Sequence, residues 1–555
     1  MPFKNIGQGK HCKKCAQCAL FDELHRQATA AEEKEDVAKR KKAHIDQVKA
    51  DRLINLRGNH MSTMDAQEPS ADGSNKILKI TIDGMDFACP HNMDSSAEFH
   101  GLWKPRLHMV GTTAWGYSEN DFILNSDMPK GANMEATVIA RTLDIVEKIN
   151  QERGCVMPRH LVIAPDNTPK EAKNQHFLSF IAYLRTSGKF DSVEVEYMET
   201  GHTQITQHFS VSASKIASAP VLEDPEEFRD HMQATIPPRC GRKHVVEILP
   251  QVYDFKEWLD KPLNIHIQGL TSTHDEPNAA QVWRLIPRSL LSEAGFAADL
   301  EIECGHEEWK DLPPDPDDTI LLLKDALHKN VFCQNPLLLC PKSVVSQIRQ
   351  EDLKPARVLP LSETVINRFL ATAEAIAKHP WSLMRGEAYL RKLCDCNCRG
   401  VPMWPVTEPL EFVHNYVMPQ VAGCAHLPLH LCNASGARVV SVEAVGPQER
   451  ARRLKKRQAA AGQEPPSGSP AQQRPRLDLE HEEEEDNAAG APQDAMMPRP
   501  AAAVVLRRPA AAVILRRPGA PPLGPAAPPA PLPGPAVPPR YGCSRCRSSK
   551  KGFEP

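Results

Sequence analysis

Short β-rich runs alternate with helical runs between residues 76 and 218, and this order constrains the fold more than any other feature. Ile77–Asp83 alternates apolar and polar side chains, as a half-buried strand does. Two further strands are predicted at Trp103–Gly111 and Asp121–Asn125, and a helix over Ala136–Asn150, where apolar residues recur at helical spacing. The sequence therefore predicts a sheet flanked by helices.

The second half of this region continues the alternation and brings a second acidic residue to a strand end. His160–Asp166 is a short apolar strand, and a helix is predicted over Pro169–Arg185 with proline in its first turn. Val193–Tyr197 is the next strand, and a last helix follows it. The order of three strands, helix, strand, helix, strand and helix predicts an α/β fold with a mixed sheet, in which Asp83 and Asp166 each close a strand.

This order of strands and helices resembles the RNase H-like superfamily, which includes transposases and retroviral integrases. The likeness includes an acidic residue on the first strand, Asp83, and another at the end of the fourth, Asp166. In such folds the first and fourth strands are neighbours, so the resemblance implies that Asp83 and Asp166 share Mg²⁺ or Mn²⁺. The chain also looks like a large family of transposon-derived eukaryotic proteins over roughly residues 10–290. The blocks that carry this likeness are Asp83–Asp86, Trp103–His108, Pro165–Thr168 with Lys173 and Asn174, and Gly201–Thr203 with Phe209 and Ser210.

The resemblance also implies a third carboxylate, which this sequence lacks at the expected position. Phosphoryl transfer in these folds uses two divalent cations held by carboxylates. Relatives are expected to carry an aspartate between the last two blocks, but Gln204–His208 contains no acid, which leaves His202 as the remaining catalytic candidate beside Asp83 and Asp166. Two functions therefore stay open: a DNA-binding protein with impaired catalysis, and an active metal-dependent nuclease or strand transferase.

Nucleic-acid contacts are expected from local patches, because the formal net charge of -3 gives no global attraction to DNA. Arg106 and His108 alternate along one strand and so share a face that could meet a phosphate. Lys173 and Asn174 belong to one of the family blocks. A solvated strand face is the alternative interpretation of Arg106 and His108.

Residues 1–60 are predicted to form a helical module with a metal site. Cys15 and Cys18 are spaced as two thiolate ligands of one Zn²⁺ would be, and a long helix is predicted from Asp22 to Arg57. His25 or His44 could complete the site from that helix, and the family resemblance favours Cys15, Cys18 and His44. Simple reduced thiols are the alternative. A polar linker is expected over residues 61–75.

Composition divides the rest of the chain. Many of the 50 prolines crowd after residue 500, among Ala and Arg, in a segment that cannot bury a core. The predicted boundaries are 1–60 for the Cys/His module, 76–218 for the RNase H-like domain, 219–310 for its extension, 311–445 for a further folded unit, and 446–555 for a disordered basic and Pro/Ala-rich tail.

Localisation and partners are predicted from the same tail. Arg452–Arg457 is a basic run of the kind that nuclear import receptors read, so the nucleus is the expected compartment. The sequence has no signal-peptide core and no apolar run long enough to span a bilayer, so no membrane association is expected. DNA is the expected partner, and self-association into a homo-oligomer is a further expectation.

Overall fold

A computed structural model describes most of the chain between residues 15 and 419. The gaps in this range are residues 69–72, 74, 92–101, 167–170, 199–206, 220, 239–240, 266, 268–279, 298–299, 329–331, 333–334, 379–383 and 405–409. The chain divides into two units, Met1–Pro465 and Pro466–Pro555, and the described residues all belong to the first. His202, Gln204–Thr206 and the predicted tail 446–555 lie outside the described residues.

Ten strands and eleven helices are found within the described residues. The strands are β1 (Ile77–Ala88), β2 (Arg106–Ala114), β3 (Ser118–Leu124), β4 (His160–Ala164), β5 (Ser192–Glu196), β6 (Lys243–Ile248), β7 (Val282–Pro287), β8 (Glu303–Cys304), β9 (Thr319–Lys324) and β10 (Leu337–Cys340). The helices are α1 (Ala16–Gln27), α2 (Ala31–Gln67), α3 (Ala132–Glu152), α4 (Gln175–Thr186), α5 (Gln207–Ala217), α6 (Pro225–Thr235), α7 (Phe255–Leu263), α8 (Lys342–Val345), α9 (Glu363–Ala377), α10 (Met384–Cys398) and α11 (Glu411–Asn415).

The strands form one mixed sheet in the order β6-β3-β2-β1-β4-β5-β7-β9-β10-β8. Within it β1, β2 and β3 are antiparallel neighbours, whereas β4 and β5 run parallel to β1. The parallel connections need crossovers, which α3 and α4 provide in chain order. The α/β architecture with a mixed sheet and flanking helices, expected from the sequence, is confirmed.

β1 extends past its predicted end because its second half has a partner. The strand was expected to close at Asp83, but β1 continues to Ala88, and residues 80–88 pair with β2 in one continuous register. β4 pairs only with the first half of β1, from Ile77 to Thr81. The carboxyl half of β1 therefore projects beyond the end of β4, and the acidic residues lie there.

Residues beyond 218 add strands to both sides of this core. β6 lies parallel to β3 at one edge, while β7 and β9 continue the sheet from β5 in antiparallel pairs. Trp283 of β7 is fully buried and meets Tyr197 in an edge-to-face contact, with ring centroids 4.8 Å apart. The segments predicted as 219–310 and 311–445 thus contribute to the same sheet as residues 76–218.

The single long helix predicted from Asp22 to Arg57 is wrong in two respects. The chain breaks into α1 and α2 around residues 28–30, and α2 then continues to Gln67, through part of the expected linker. Contacts with the sheet explain the extension: Ser62 Oγ donates to the carbonyl of Trp115 and accepts from the amide of Lys79, and Asp65 accepts from the amide of Ile77.

The buried face of α2 is mostly polar where it crosses the sheet. Its buried positions include Asp51, Asn55, Asn59 and Ser62, which recur at helical spacing. Beneath them the ammonium of Lys79 is paired with a carboxylate of β5 and also donates to the carbonyl of Asn55. We name this contact the polar seam; it holds α2 by hydrogen bonds and charge more than by apolar packing. No described helix is both long and apolar enough to cross a bilayer.

Candidate functional site

Asp83 and Asp166 are carried by neighbouring parallel strands. The register of β1 and β4 ends with Thr81 paired with Ala164, and Asp83 and Asp166 each lie two residues further along their own segment. Residues in register on parallel strands direct their side chains to the same face of a sheet. Asp83 thus lies inside β1 and Asp166 two residues past the end of the neighbouring β4, and the charge of Asp166 acts on Asp83.

The Asp83 carboxylate retains an exposed surface but is crowded by other acids. Its Oδ1 accepts a hydrogen bond of 2.9 Å from the amide of Gly84. Desolvation by the surrounding protein raises the pKa of Asp83 to about 6, and the charges of Asp166 and Glu171 act in the same direction. Nearby negative charges thus favour the protonated form of Asp83.

Glu135, in the first turn of α3, is an acid that the sequence analysis missed. Its side chain is only 7% exposed, and its Oε2 has no hydrogen-bond partner among the described residues. Burial raises the pKa of Glu135 to about 8, with further contributions from the charges of Glu171, Asp166 and Asp83. A buried carboxylate oxygen without a partner is costly. The raised pKa means that the protonated, uncharged form of Glu135 predominates at neutral pH.

Glu171 connects these acids. It lies between β4 and α4, and its charge acts on Asp83, on Glu135 and on His108. Interactions between charges are largely screened beyond roughly 10 Å in salt solution. Glu171 therefore belongs to the same cluster, which we name the acid cluster: Asp83, Glu135, Asp166 and Glu171.

The acid cluster is looser than a closed metal site. Within the part of the chain that the structure describes, no three of its ligand atoms lie within 4.8 Å of one another, whereas those of Cys15, Cys18 and His44 do. The resemblance places the third acid within Gln204–His208, and that stretch of the sequence contains no acidic residue. His202 and Gln204–Thr206 lie outside the described residues.

Of the predicted nucleic-acid contacts, Arg106 is exposed at the start of β2. Lys173 is buried, with its ammonium 5.3 Å from the centre of the Tyr197 ring. Asn174 caps α4: its side chain accepts from the amide of Phe177 at 3.0 Å. α4 accordingly begins at Gln175, later than the predicted Pro169, because the Asn174 cap fixes its first turn.

His108 stands opposite Asp86 in the β1–β2 pair and is only 8% exposed. Its Nδ1 lies 2.6 Å from Asp86 Oδ1, and the ammonium of Lys130 donates to the same oxygen at 2.8 Å. Burial lowers the pKa of His108, so the neutral ring predominates near neutral pH. The structure thus joins His108 to Asp86 and Lys130, while Arg106 remains apart at the surface.

The N-terminal cysteines and one histidine converge as the sequence predicted. Cys15 Sγ lies 3.4 Å from His44 Nε2, and the Cys18 amide approaches Cys15 Sγ at 3.5 Å. All three side chains are buried, and burial lowers the pKa of His44, which keeps its ring neutral and able to bind metal. His25 is exposed and does not join them. This group could hold a metal ion.

Comparison with known proteins adds one match. The family described as Domain of unknown function (DUF7869) matches residues 97–276, from just before β2 to beyond α7. The matched segment includes His108, Glu135, Asp166 and Glu171 but not Asp83. No curated protein and no solved structure matches this chain.

Proposed function

We propose that this protein derives from a transposase or integrase with an RNase H-like core, and that it binds DNA in the nucleus with weak or no strand cleavage. One observation carries the proposal. The first five strands are ordered β3-β2-β1-β4-β5, with Asp83 inside β1 and Asp166 two residues past the end of the neighbouring β4. That order, with an acid on each of these two neighbouring segments, is what the family resemblance implied, and it supports the RNase H-like assignment.

Binding of a divalent cation is proposed at the same place, where β1 and β4 are neighbours. Asp83 and Asp166 would hold Mg²⁺ or Mn²⁺, because hard cations prefer carboxylate oxygen and the crowded charges favour a counter-ion. Such cations supply charge stabilisation at attacking and leaving oxygens in phosphoryl transfer. Catalysis is proposed to be weak because the resemblance places a third acid within Gln204–His208, and neither that stretch nor α5 carries a carboxylate.

DNA binding is proposed to begin at the N-terminal module. Zn²⁺ held by Cys15, Cys18 and His44 would clamp α1 against α2, since these three residues lie in or next to the two helices. Lys34 and Lys42 are exposed on the adjoining part of α2. Phosphate contacts of this kind weaken steeply as salt rises. The basic run Arg452–Arg457 is proposed to add nuclear import.

A second candidate function, an active nuclease or strand transferase, is favoured by Glu135. Its buried, unpartnered oxygen could supply the carboxylate that the sequence lacks after β5. In that case Glu135 would add its carboxylate to the acids whose charges act on it, Glu171, Asp166 and Asp83.

Full-length protein, labelled duplex DNA and Mn²⁺ separate the two functions. The binding protein should retain DNA binding in Asp83→Asn and Asp166→Asn and show no cleavage with Mg²⁺ or Mn²⁺. Asp395→Asn, an exposed acid paired with Arg399 on α10, is the matched control. Metal-dependent nicking that disappears in the Asp83 and Asp166 variants, but not in the control, would establish the enzyme. Absence of DNA binding at low salt would refute both.

Self-association into a homo-oligomer is proposed as well. Light scattering of the full chain over a tenfold concentration range tests it. A constant monomer mass would refute that part of the proposal.

A further inference from the structure

Trp103, in the segment that leads into β2, exposes a large aromatic side chain to solvent. It is 47% exposed, whereas Trp258, Trp283 and Trp309 are each 6% exposed or less. Its neighbour Leu102 packs against the apolar core that β1 and β2 form with α9 and α10. The chain therefore turns the smaller side chain inward and the larger one outward, which leaves the indole open to a ligand that packs on an aromatic ring.

The guanidinium of Arg368 stacks on this indole. Its central carbon, Cζ, lies 4.3 Å from the centre of the Trp103 ring, and Arg368 is an exposed residue of α9. Thr372, one turn further along α9, donates a hydrogen bond of 2.6 Å to the carbonyl of Trp103. One helix thus fixes the main chain of Trp103 and covers part of its ring, while nearly half of the residue stays open to solvent.

Positive charge without a carboxylate partner lies near this stack. Arg106 is exposed three residues after Trp103, so their Cα atoms are at most about 11 Å apart. The chain between them is held in place, because the amide of Cys89 donates to the carbonyl of Pro105 at 3.0 Å. Among the described residues, no carboxylate forms an ion pair with Arg106 or Arg368. Both guanidinium groups therefore keep their charge available to an anion.

An open aromatic ring beside free positive charge suits a ligand that is both aromatic and anionic. Nucleic acid has this chemistry, since its bases stack on tryptophan and its phosphates bind arginine. A base inside a duplex is already stacked between its neighbours, so only an unpaired base can lie flat on the indole.

We propose that Trp103, stacked on Arg368, is a platform for an unpaired base of single-stranded nucleic acid, and that Arg106 binds the phosphate backbone of the same strand. The inference rests on the proposed function in one respect, since both take nucleic acid as the partner. It goes further by naming an unpaired strand as the ligand and the residues that bind its base.

Two probes that differ only in their bases test the stacking directly. The first is a labelled oligothymidylate, and the second is the same phosphate backbone with abasic sites in place of the bases. Fluorescence anisotropy of the full-length wild type should show about 5- to 100-fold tighter binding of the oligothymidylate, the range that stacking on one aromatic side chain typically gives. This comparison uses the wild type alone, so it does not depend on how a substitution affects folding.

Substitutions then assign the preference to residues. Trp103→Ala should abolish the preference for the oligothymidylate, and Trp103→Phe should restore part of it, because phenylalanine keeps a smaller ring. Arg106→Gln should weaken binding of both probes alike and lower the slope of affinity against salt by about one. Val417→Ala, at an 82% exposed apolar residue in the segment after α11, is the matched control and should change neither quantity.

The outcomes separate this inference from the proposed function. Equal affinity of the wild type for the two probes would overturn base stacking, and a preference that persists in Trp103→Ala would overturn the role of Trp103. Absence of binding to either unpaired probe, the result expected if this surface binds a protein instead, would overturn the inference while duplex binding is measured separately. Binding of the oligothymidylate without binding of duplex DNA would support the inference and refute the proposed duplex binding.

Discussion

The substitution Glu135→Gln should stabilise the metal-free protein at neutral pH and much less at acid pH. Glu135 is buried, and burial raises its pKa from the usual 4.5 to about 8. A carboxyl with a raised pKa in the folded state costs stability at every pH above its ordinary pKa, because the unfolded chain releases the proton first. The cost therefore grows from about pH 4.5 upward and levels off above about pH 8.

The magnitude follows from the shift. Each unit of pKa is worth about 1.4 kcal/mol, so the ordinary and raised values together imply a cost of about 3 kcal/mol at pH 7 and less than about 1 kcal/mol at pH 5. The glutamine amide is buried without a partner as well, which costs about 1–3 kcal/mol at any pH. The quantity to measure is therefore the difference in free energy of unfolding between Glu135→Gln and the wild type. Between pH 5 and pH 7 this difference should shift by about 2–3 kcal/mol in favour of the variant.

Urea unfolding of both proteins at pH 5, 6 and 7 in metal-free buffer measures this quantity. Glu152→Gln, at an exposed position of the same helix, should show no such change. Addition of Mn²⁺ should remove the pH dependence of the wild type, because a cation beside Glu135 takes the place of the proton. A difference between wild type and Glu135→Gln that is constant across pH would refute the reasoning.

Three further predictions concern the fold and the N-terminal module. Gly116→Ala should lower the free energy of unfolding by about 2–4 kcal/mol in urea titrations. Gly116 has a φ of +89°, and an added Cβ would lie 2.5 Å from the Cβ of Ala66. The control is Gly154→Ala, also at positive φ but with nothing within 4 Å of an added Cβ, which should cost about 1 kcal/mol. Lys79→Met should cost about 3–5 kcal/mol by leaving the Glu196 carboxylate buried without its partner, and the double variant Lys79→Met/Glu196→Leu should recover most of that loss; equal losses in both would contradict the role of the pair. Cys18→Ser should reduce bound zinc, measured by elemental analysis, from about one equivalent to well below it, whereas Cys155→Ser should leave it unchanged.

The strands and helices between Ile77 and Tyr197 were predictable because local patterns decide them. The apolar run of β4 and the helical spacing of α3 can be read from a few consecutive residues. The ends were less predictable, since β1 continues to Ala88 only because β2 is paired with it. The parallel addition of β6 to β3 and the extension through β7 and β9 are pairings between distant segments, which no local pattern specifies.

The candidate site divides in the same way. Cys15, Cys18 and His44 were predicted together, and the structure brings them together. Glu135 was missed for a physical reason: acidic residues are common in the first turn of a helix, where they face solvent and favour the helix dipole. Only tertiary packing shows that this one is buried. The Asp86 and His108 pair was likewise hidden, because cross-strand partners depend on the register of β1 and β2.

Because α2 is continuous, it fixes both the distance and the rotation angle between its two ends. His44 and Ser62 lie on this one helix, so the metal group and the Ser62 end of the polar seam are separated by roughly 27 Å along its axis. Inserting one residue between them would turn the metal group by about 100° around that axis, whereas inserting seven would nearly restore its direction and displace it by roughly 10 Å. The direction in which the N-terminal module faces therefore repeats with the helical period as α2 is lengthened. An insertion of one residue tests whether function needs that direction, and an insertion of seven tests whether it needs the distance between the metal group and the sheet.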